Sequence, residues 1–252
     1  MELYTKSWID EHEEEMEGWK HTAFNHLEAM LGDREKPYPC IPGKQGFYQD
    51  HLRYGFADDP TTDSASTQLA ALLEDYGKLA RGTGKYASLV VFFDSRRLQQ
   101  QNVEVEQYQS LFWSLLNRVH ELDKEKWPEH IPKDPHDPKW EFCFNGEPYF
   151  AFCATPAHVV RQSRHFPCFL IAFQPRWVFD EINSETTFGQ KLKKAIRQRL
   201  VSYDGIPAHP ALKWYGQQDN YEWEQYFLSD DDSSLSKCPF MAMKQKWKSI
   251  RS

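Results

Sequence analysis

The stretch from Trp140 to Ala154, WEFCFNGEPYFAFCA, constrains the fold more than any other. Asn145-Gly146 between two aromatic runs is the strongest short signal for a two-residue β-hairpin, because that turn needs positive φ at both positions. It pairs Phe144 with Glu147, Phe142 with Tyr149 and Glu141 with Phe150. Strand alternation then sets Trp140, Phe142, Phe144, Tyr149 and Ala151 on one face, with Glu141, Cys143, Phe150 and Phe152 opposite. Both faces are apolar, so the hairpin has to be covered on both sides. Glu141 is the exception, a carboxylate among rings, and it needs a cationic partner. Either an arginine of the chain supplies one or a bound ligand does.

One such cover is VEVEQYQSLFWSLLNRVHELD, residues 103–123. Apolar residues recur at 105, 108, 112, 115, 116, 119 and 122, the spacing of one helical face. Trp113 and His120 fall nearly in line on the flank of that stripe. An imidazole at the edge of a dry face suits a metal, a heme iron or a proton, and equally a core histidine bonded to a backbone carbonyl.

The rest of the chain alternates helices and strands. Residues 8–31 read as an N-terminal helix with an acidic start, within a segment 1–34. Then KPYPCIPGKQGFYQDHLRYGF reads as irregular backbone, and Cys40 within it as a packed thiol. Residues 64–81 read as a helix with Ser64 as its cap, and YASLVVFF, residues 86–93, as a buried strand. Four prolines keep the loop 124–139 out of helix and sheet. A strand CFLIAF follows RQSRHFP, and residues 187–201 form a basic amphipathic helix. Arg161, Arg164 and Arg176 cluster around strand ends, where guanidinium groups suit carboxylates, phosphates or ordinary ion pairs. The expected architecture is one α+β domain over 1–252, an antiparallel sheet with helices packed on it, long Pro/Gly-rich loops and a basic tail at 237–252.

Composition narrows the partners. The net charge of −7 disfavours nucleic acid. No run approaches the roughly 18 apolar residues of a membrane span. The acidic N-terminus lacks the apolar stretch of a secretory signal, and five cysteines without a paired motif read as reduced thiols, so a cytoplasmic protein is expected. There is no GxGxxG after a strand, no Walker loop, no HExxH, no GxSxG and no paired CxxC. With 17 Phe, 12 Tyr and 9 Trp, the chain suits an aromatic core or a ring-lined cavity for a small ligand or porphyrin.

Several segments carry a resemblance in shared order: PYPC (37–40), YASLVVFF (86–93), FWSLLNRVHELD (112–123), DPKWEFCFNGEPYFAFCATP (137–156), RQSRHFP (161–167), IAFQPRWVF (171–179), IRQRL (196–200) and CPF (238–240). On these the chain resembles the YqcI/YcgG family, some of whose members are heme-dependent oxygenases that N-hydroxylate guanidino groups. The resemblance implies heme as cofactor, His120 as the axial ligand, and Arg161 and Arg164 as contacts to propionates or a substrate carboxylate. Hydroxylating relatives have an Asn-Pro-His type stretch where this chain reads Gln174-Pro175-Arg176.

Two readings follow. In the first, a heme monooxygenase, His120 binds iron while Asp123 or a carbonyl fixes its ring, and Trp113, Arg161, Arg164 and Arg176 surround the cofactor. Glu141 then holds a guanidinium or amine substrate, and O₂ and an external electron donor complete the reaction. In the second, the chain is a non-catalytic binder of heme or another small ligand. A metal-dependent hydrolase built on His158, His165 and Glu141 is a distant third, and Cys40 and Cys238 are outside candidates for thiolate ligation. The expected partners are a small-molecule substrate and the electron donor, with a homo-oligomer left open.

Overall fold

The computed structural model of the protein describes residues 2–180, 186–213 and 218–240. In chain order these give α1 (Lys6–Glu11), α2 (Gly18–Gly32), α3 (Ile41–Tyr48), β1 (Leu52–Ala57), α4 (Asp63–Thr83), β2 (Ser88–Phe93), α5 (Arg96–Gln100) and α6 (Val105–Leu122). Then come β3 (Phe142–Phe144), β4 (Glu147–Ala154), β5 (Leu170–Pro175), α7 (Arg176–Asp180), α8 (Thr187–Asp204) and α9 (Trp223–Tyr226). The tail beyond residue 240 lies outside the described residues.

The hairpin forms in the expected register, with Phe142 opposite Tyr149 and Phe144 opposite Glu147. Asn145 and Gly146 take φ of 52° and 76°, the backbone that a two-residue turn of this hand demands. The expected pairing of Glu141 with Phe150 lies just outside the ladder, because β3 begins at Phe142.

The sheet runs β1-β2-β5-β4-β3. The expected α+β domain, one sheet with helices packed on it, is what the structure shows, and the sheet is antiparallel except at one pairing. β1 and β2 run parallel, because α4 carries the chain back across the sheet between them, while the other neighbours are antiparallel.

Helices cover both faces. On one, Phe142, Phe144, Tyr149, Ala151, Ile171 and Phe173 join Leu69, Leu72 and Leu73 of α4 and Phe112, Leu115 and Leu116 of α6 in the larger core. On the other, Tyr54, Phe56, Val90 and Phe92 meet Phe24, Leu27 and Leu31 of α2 and Phe47 of α3. The two apolar faces of β4 are thus both covered, Tyr149 and Ala151 in the larger core and Phe152 and Ala154 in the second, with Phe150 packed against the larger core as well. No helix of the described residues is long and apolar enough to cross a membrane.

Three local readings change. The N-terminal helix is broken into α1, a 3₁₀ turn at Glu13–Glu15 and α2. Neighbouring carboxylates repel, and Gly18 starts a new helix instead of continuing one. The Pro/Gly-rich segment after it contains α3, which tolerates Pro42 because it falls in the first turn, where an N–H is dispensable, and Cys40 Sγ caps it by accepting from Gly43 N at 3.3 Å. Immediately downstream, LRYGFA is strand β1. Thr62, and not Ser64, caps α4, accepting from Ala65 N at 3.2 Å.

Candidate functional site

The second core is incompletely filled. Between the sheet and α2 lies a cavity of about 150 Å³, smaller than the ~300–1,000 Å³ typical of ligand sites. Phe150, Phe152 and Ala154 of β4 and Leu170 and Ala172 of β5 form its floor, and Leu27, Met30 and Leu31 of α2 its roof. Alternation along β4 explains the floor: Tyr149 and Ala151 are spent on the first core, so Phe152 turns to the second, while Phe150 lines the cavity and also packs its ring against Tyr226 of the first. Among the described residues, no Asp or Glu lines the cavity.

His165 stands in its wall. It follows a 3₁₀ turn at Gln162–Arg164, and Thr155 N and Phe166 N, bonding Arg164 O and Thr155 O, anchor the segment to the end of β4. Its Nδ1–H donates to the carbonyl of His158 at 2.8 Å, since a carbonyl can only accept. In the neutral ring that bond leaves Nε2 as a lone pair, and Nε2 makes no hydrogen bond among the described residues. This is the arrangement that orients a metal-ligating imidazole.

His158 is itself fixed. Nε2–H donates to Leu228 O at 2.9 Å and Nδ1 meets Thr155 Oγ1 at 2.9 Å. Burial pulls its pKa down to about 4, so it is a neutral strut. With both nitrogens engaged it cannot ligate, and no three His, Cys, Asp or Glu side chains converge among the described residues as a metal site. The hydrolase built on His158, His165 and Glu141 is thereby corrected.

A second cavity shares Tyr38, Cys40 and Phe152 with the first and is lined by both Arg161 and Arg164. Arg164 is buried, donates to the carbonyls of Cys153, Tyr226 and Gln225 at 3.3, 3.0 and 2.9 Å, and forms no ion pair among the described residues. Burial lowers its pKa to about 10, which still leaves it charged at neutral pH. Its guanidinium lies 4.3 Å from the ring centre of Phe152, on the floor of the first cavity. Arg161 is tied to Asp232 at 2.6 Å and to carbonyls of Pro207, Ser229 and Asp231. Cys40 lines both cavities, and burial raises its thiol pKa despite the bond from Gly43 N.

The remaining expected residues lie elsewhere. His120 is flanked by Trp127 and Phe240, with ring centres 5.7 and 5.2 Å away, and lines neither cavity. Asp123 ends α6, and its oxygens accept from Glu125 N and Asn145 N at 3.0 Å each, so it ties the helix to the hairpin turn. Trp113 packs in the larger core against Phe112, Trp223 and Tyr226. Glu141 is fully buried and finds its cation in Arg176 at 3.1 Å, with Glu222 4.0 Å from the same guanidinium. The arginine alternative for Glu141 is the one observed.

Sequence reasoning named His165 only within the distant hydrolase reading and not as a candidate heme ligand. Its signal is the alternation of β4, which sends Phe150, Phe152 and Ala154 to one face, continued by the segment that closes on that face.

The model of the YqcI/YcgG family matches residues 27–241. YcgG of Bacillus subtilis is 50% identical over 249 residues, 99% of this chain and 98% of that protein. YqcI of the same organism is 50% identical over 251 residues, 100% and 99% of the two chains. DcsA of Streptomyces lavendulae, named as an N(omega)-hydroxy-L-arginine synthase, is 31% identical over 233 residues, 90% of this chain and 86% of its own. No solved structure matches the chain. In sequence, and over nearly its whole length, the chain belongs to the YqcI/YcgG family.

Proposed function

We propose that the protein is a heme-dependent oxygenase that hydroxylates a nitrogen of a small guanidino or amino compound. The observation that carries the reading is the apolar cavity with His165 in its wall, ring orientation set by the His158 carbonyl. The similarity to DcsA, named for N-hydroxyarginine synthesis, supports the reaction class.

The lining matches a porphyrin site in residue kind, with apolar walls, one imidazole with a directed lone pair and a buried guanidinium bonded to carbonyls near Asp204, while its volume of about 150 Å³ requires α2 to move aside to admit the ring. His165 would hold the iron, and Arg164, reached through the second cavity, would meet an acidic group of the cofactor. When bound, heme supplies the activation of O₂. The chain's own contribution is to hold the ring of His165 through His158 and to keep water out with Leu27, Leu31, Phe152 and Leu170. In the overall reaction one N–H becomes N–O–H and the second oxygen leaves as water, consuming two electrons and two protons from outside the chain.

The test is absorbance with and without added hemin. A Soret band near about 400 nm that is lost in His165→Ala and kept in His120→Ala is expected. A protein that leaves hemin unbound, or that loses the band only in His120→Ala, refutes the assignment. A non-catalytic binder of heme or another apolar ligand rests on the same cavity. As a heme binder it predicts the same spectrum with no nitrogen oxidation when O₂ and reductant are supplied.

A further inference from the structure

The cationic groups of this chain are unevenly placed. Helix α8 carries Lys191, Lys193, Lys194, Arg197 and Arg199, and its one carboxylate is Asp204 at the end. With 30 cations and 37 carboxylates in the whole sequence, the remainder holds 25 against 36, so the basic helix stands on an otherwise acidic molecule. Lys191, Lys194 and Arg199 are exposed and make no ion pair among the described residues; Lys124, Lys126 and Lys133 on the loop after α6 share that property, but on α8 such cations stand together on one helix. Arg197 is partly engaged, donating to the carbonyl of Leu212, and Lys193 is half-buried.

The opposite side of the same helix has a defined neighbour. Ile196 and Leu200 line the second cavity, which shares Tyr38, Cys40 and Phe152 with the first. A partner seated on the outer face of α8 is thus separated from the second cavity by one helix, a thickness of about 10 Å, with the first cavity beyond it.

We propose that the outer face of α8 docks a small acidic electron-carrier protein, which delivers the electrons that the reaction consumes. The inference rests on the oxygenase reading, which needs two electrons per turnover while the chain has no flavin or nicotinamide motif. The carrier gives them as two one-electron transfers and is itself oxidised. Unpaired cations on a rigid helix attract an acidic surface and speed its encounter, without a large buried area. A membrane surface is disfavoured because the apolar side of α8 is turned inward. Nucleic acid is disfavoured by the 36 carboxylates on the rest of the chain.

The test titrates the purified full-length protein with a flavodoxin, as a representative acidic carrier, by calorimetry. The parent is expected to bind and to lose about tenfold or more in affinity between about 20 and 200 mM salt. The variant K191E/K194E/R199E is expected to lose binding by about tenfold at low salt, whereas K124E/K126E/K133E, an equal charge change on the loop after α6, keeps it within about twofold. Turnover driven by a small chemical reductant stays at the parent level in both variants, so loss of carrier docking is separable from failure of the oxygenase reading. Absence of flavodoxin binding, equal effects of the two triple variants, or tighter parent binding to duplex DNA or to phosphatidylserine vesicles at matched salt overturns the proposal.

Discussion

Tyr226→Phe removes one oxygen atom and tests how the hairpin is held. The Tyr226 side chain is fully buried, and its hydroxyl sits between the two strands at the open end of the hairpin. It accepts from Phe142 N at 3.0 Å and donates to Tyr149 O at 2.9 Å, the two groups of a directly opposed pair. The hydroxyl therefore stands in for a ladder hydrogen bond that strand β3 is too short to make. In the phenylalanine variant both backbone groups lose this partner inside a closed aromatic cluster with Trp113, Trp140 and Phe150. Each buried orphan costs about 1–3 kcal/mol, and allowing the strands to close part of the gap leaves about 2–4 kcal/mol in total. For a chain of this size that lowers Tm by roughly 5–15 °C. Urea unfolding followed by tryptophan fluorescence measures it, with a lower midpoint at unchanged m-value. Hemin uptake should persist, because Arg164 bonds the Tyr226 carbonyl and not its hydroxyl. A loss below about 0.5 kcal/mol would mean that the strands pair unaided, and the bridging argument would fall.

Other perturbations probe the charges and the cavity. Burial raises Glu222 to about 7, against an ordinary 4.5, with the Arg176 guanidinium opposing. Between those two values the unfolded chain gives up a proton that the folded one keeps, so this group costs stability as pH rises through the window, about 3 kcal/mol when complete. Glu222→Gln should therefore be relatively more stable at pH 8 than at pH 4, and parallel pH dependences of variant and parent would refute it. His158 acts in the opposite sense, since its folded value of about 4 lies below the ordinary 6.5. Its stabilisation, also about 3 kcal/mol, is present above pH 6.5 and is lost as pH falls towards 4, so His158→Gln should flatten the acid limb of the stability profile. Gly84→Ala should destabilise by about 2 kcal/mol or more in urea unfolding, because a Cβ there meets the His51 ring at 2.4 Å with φ at 132°. Ala172→Phe fills the first cavity from its floor; hemin titration should show uptake reduced at least about tenfold with Tm unchanged or raised, and undiminished uptake would place the ligand elsewhere.

How far the sequence could be read depended on the range of the interactions involved. The register of Phe142 with Tyr149 follows from two turn residues, and α6 from seven apolar positions at helical spacing. α3 was hidden because Pro42 and two glycines read as breakers, although proline in a first turn is harmless. β1 was hidden by its tyrosine, arginine and glycine, which mute the alternation until Val90 and Phe92 of β2 lie alongside. Glu141 announced a buried charge, but only the arrival of α7 at the end of β5 identified Arg176 as its partner.

The sequence by itself determined the hairpin, the central amphipathic helix, the demand for cover on both sheet faces and the family to which the chain belongs. These are consequences of period, turn chemistry and residue order, all legible along a line. The tertiary structure alone decided that β1 joins in parallel, that Phe150 and Phe152 floor a cavity beneath α2, and that His165 rather than His120 stands in its wall. Such outcomes depend on where side chains far apart in sequence fail to fill the space between layers, and no local pattern encodes an unfilled volume.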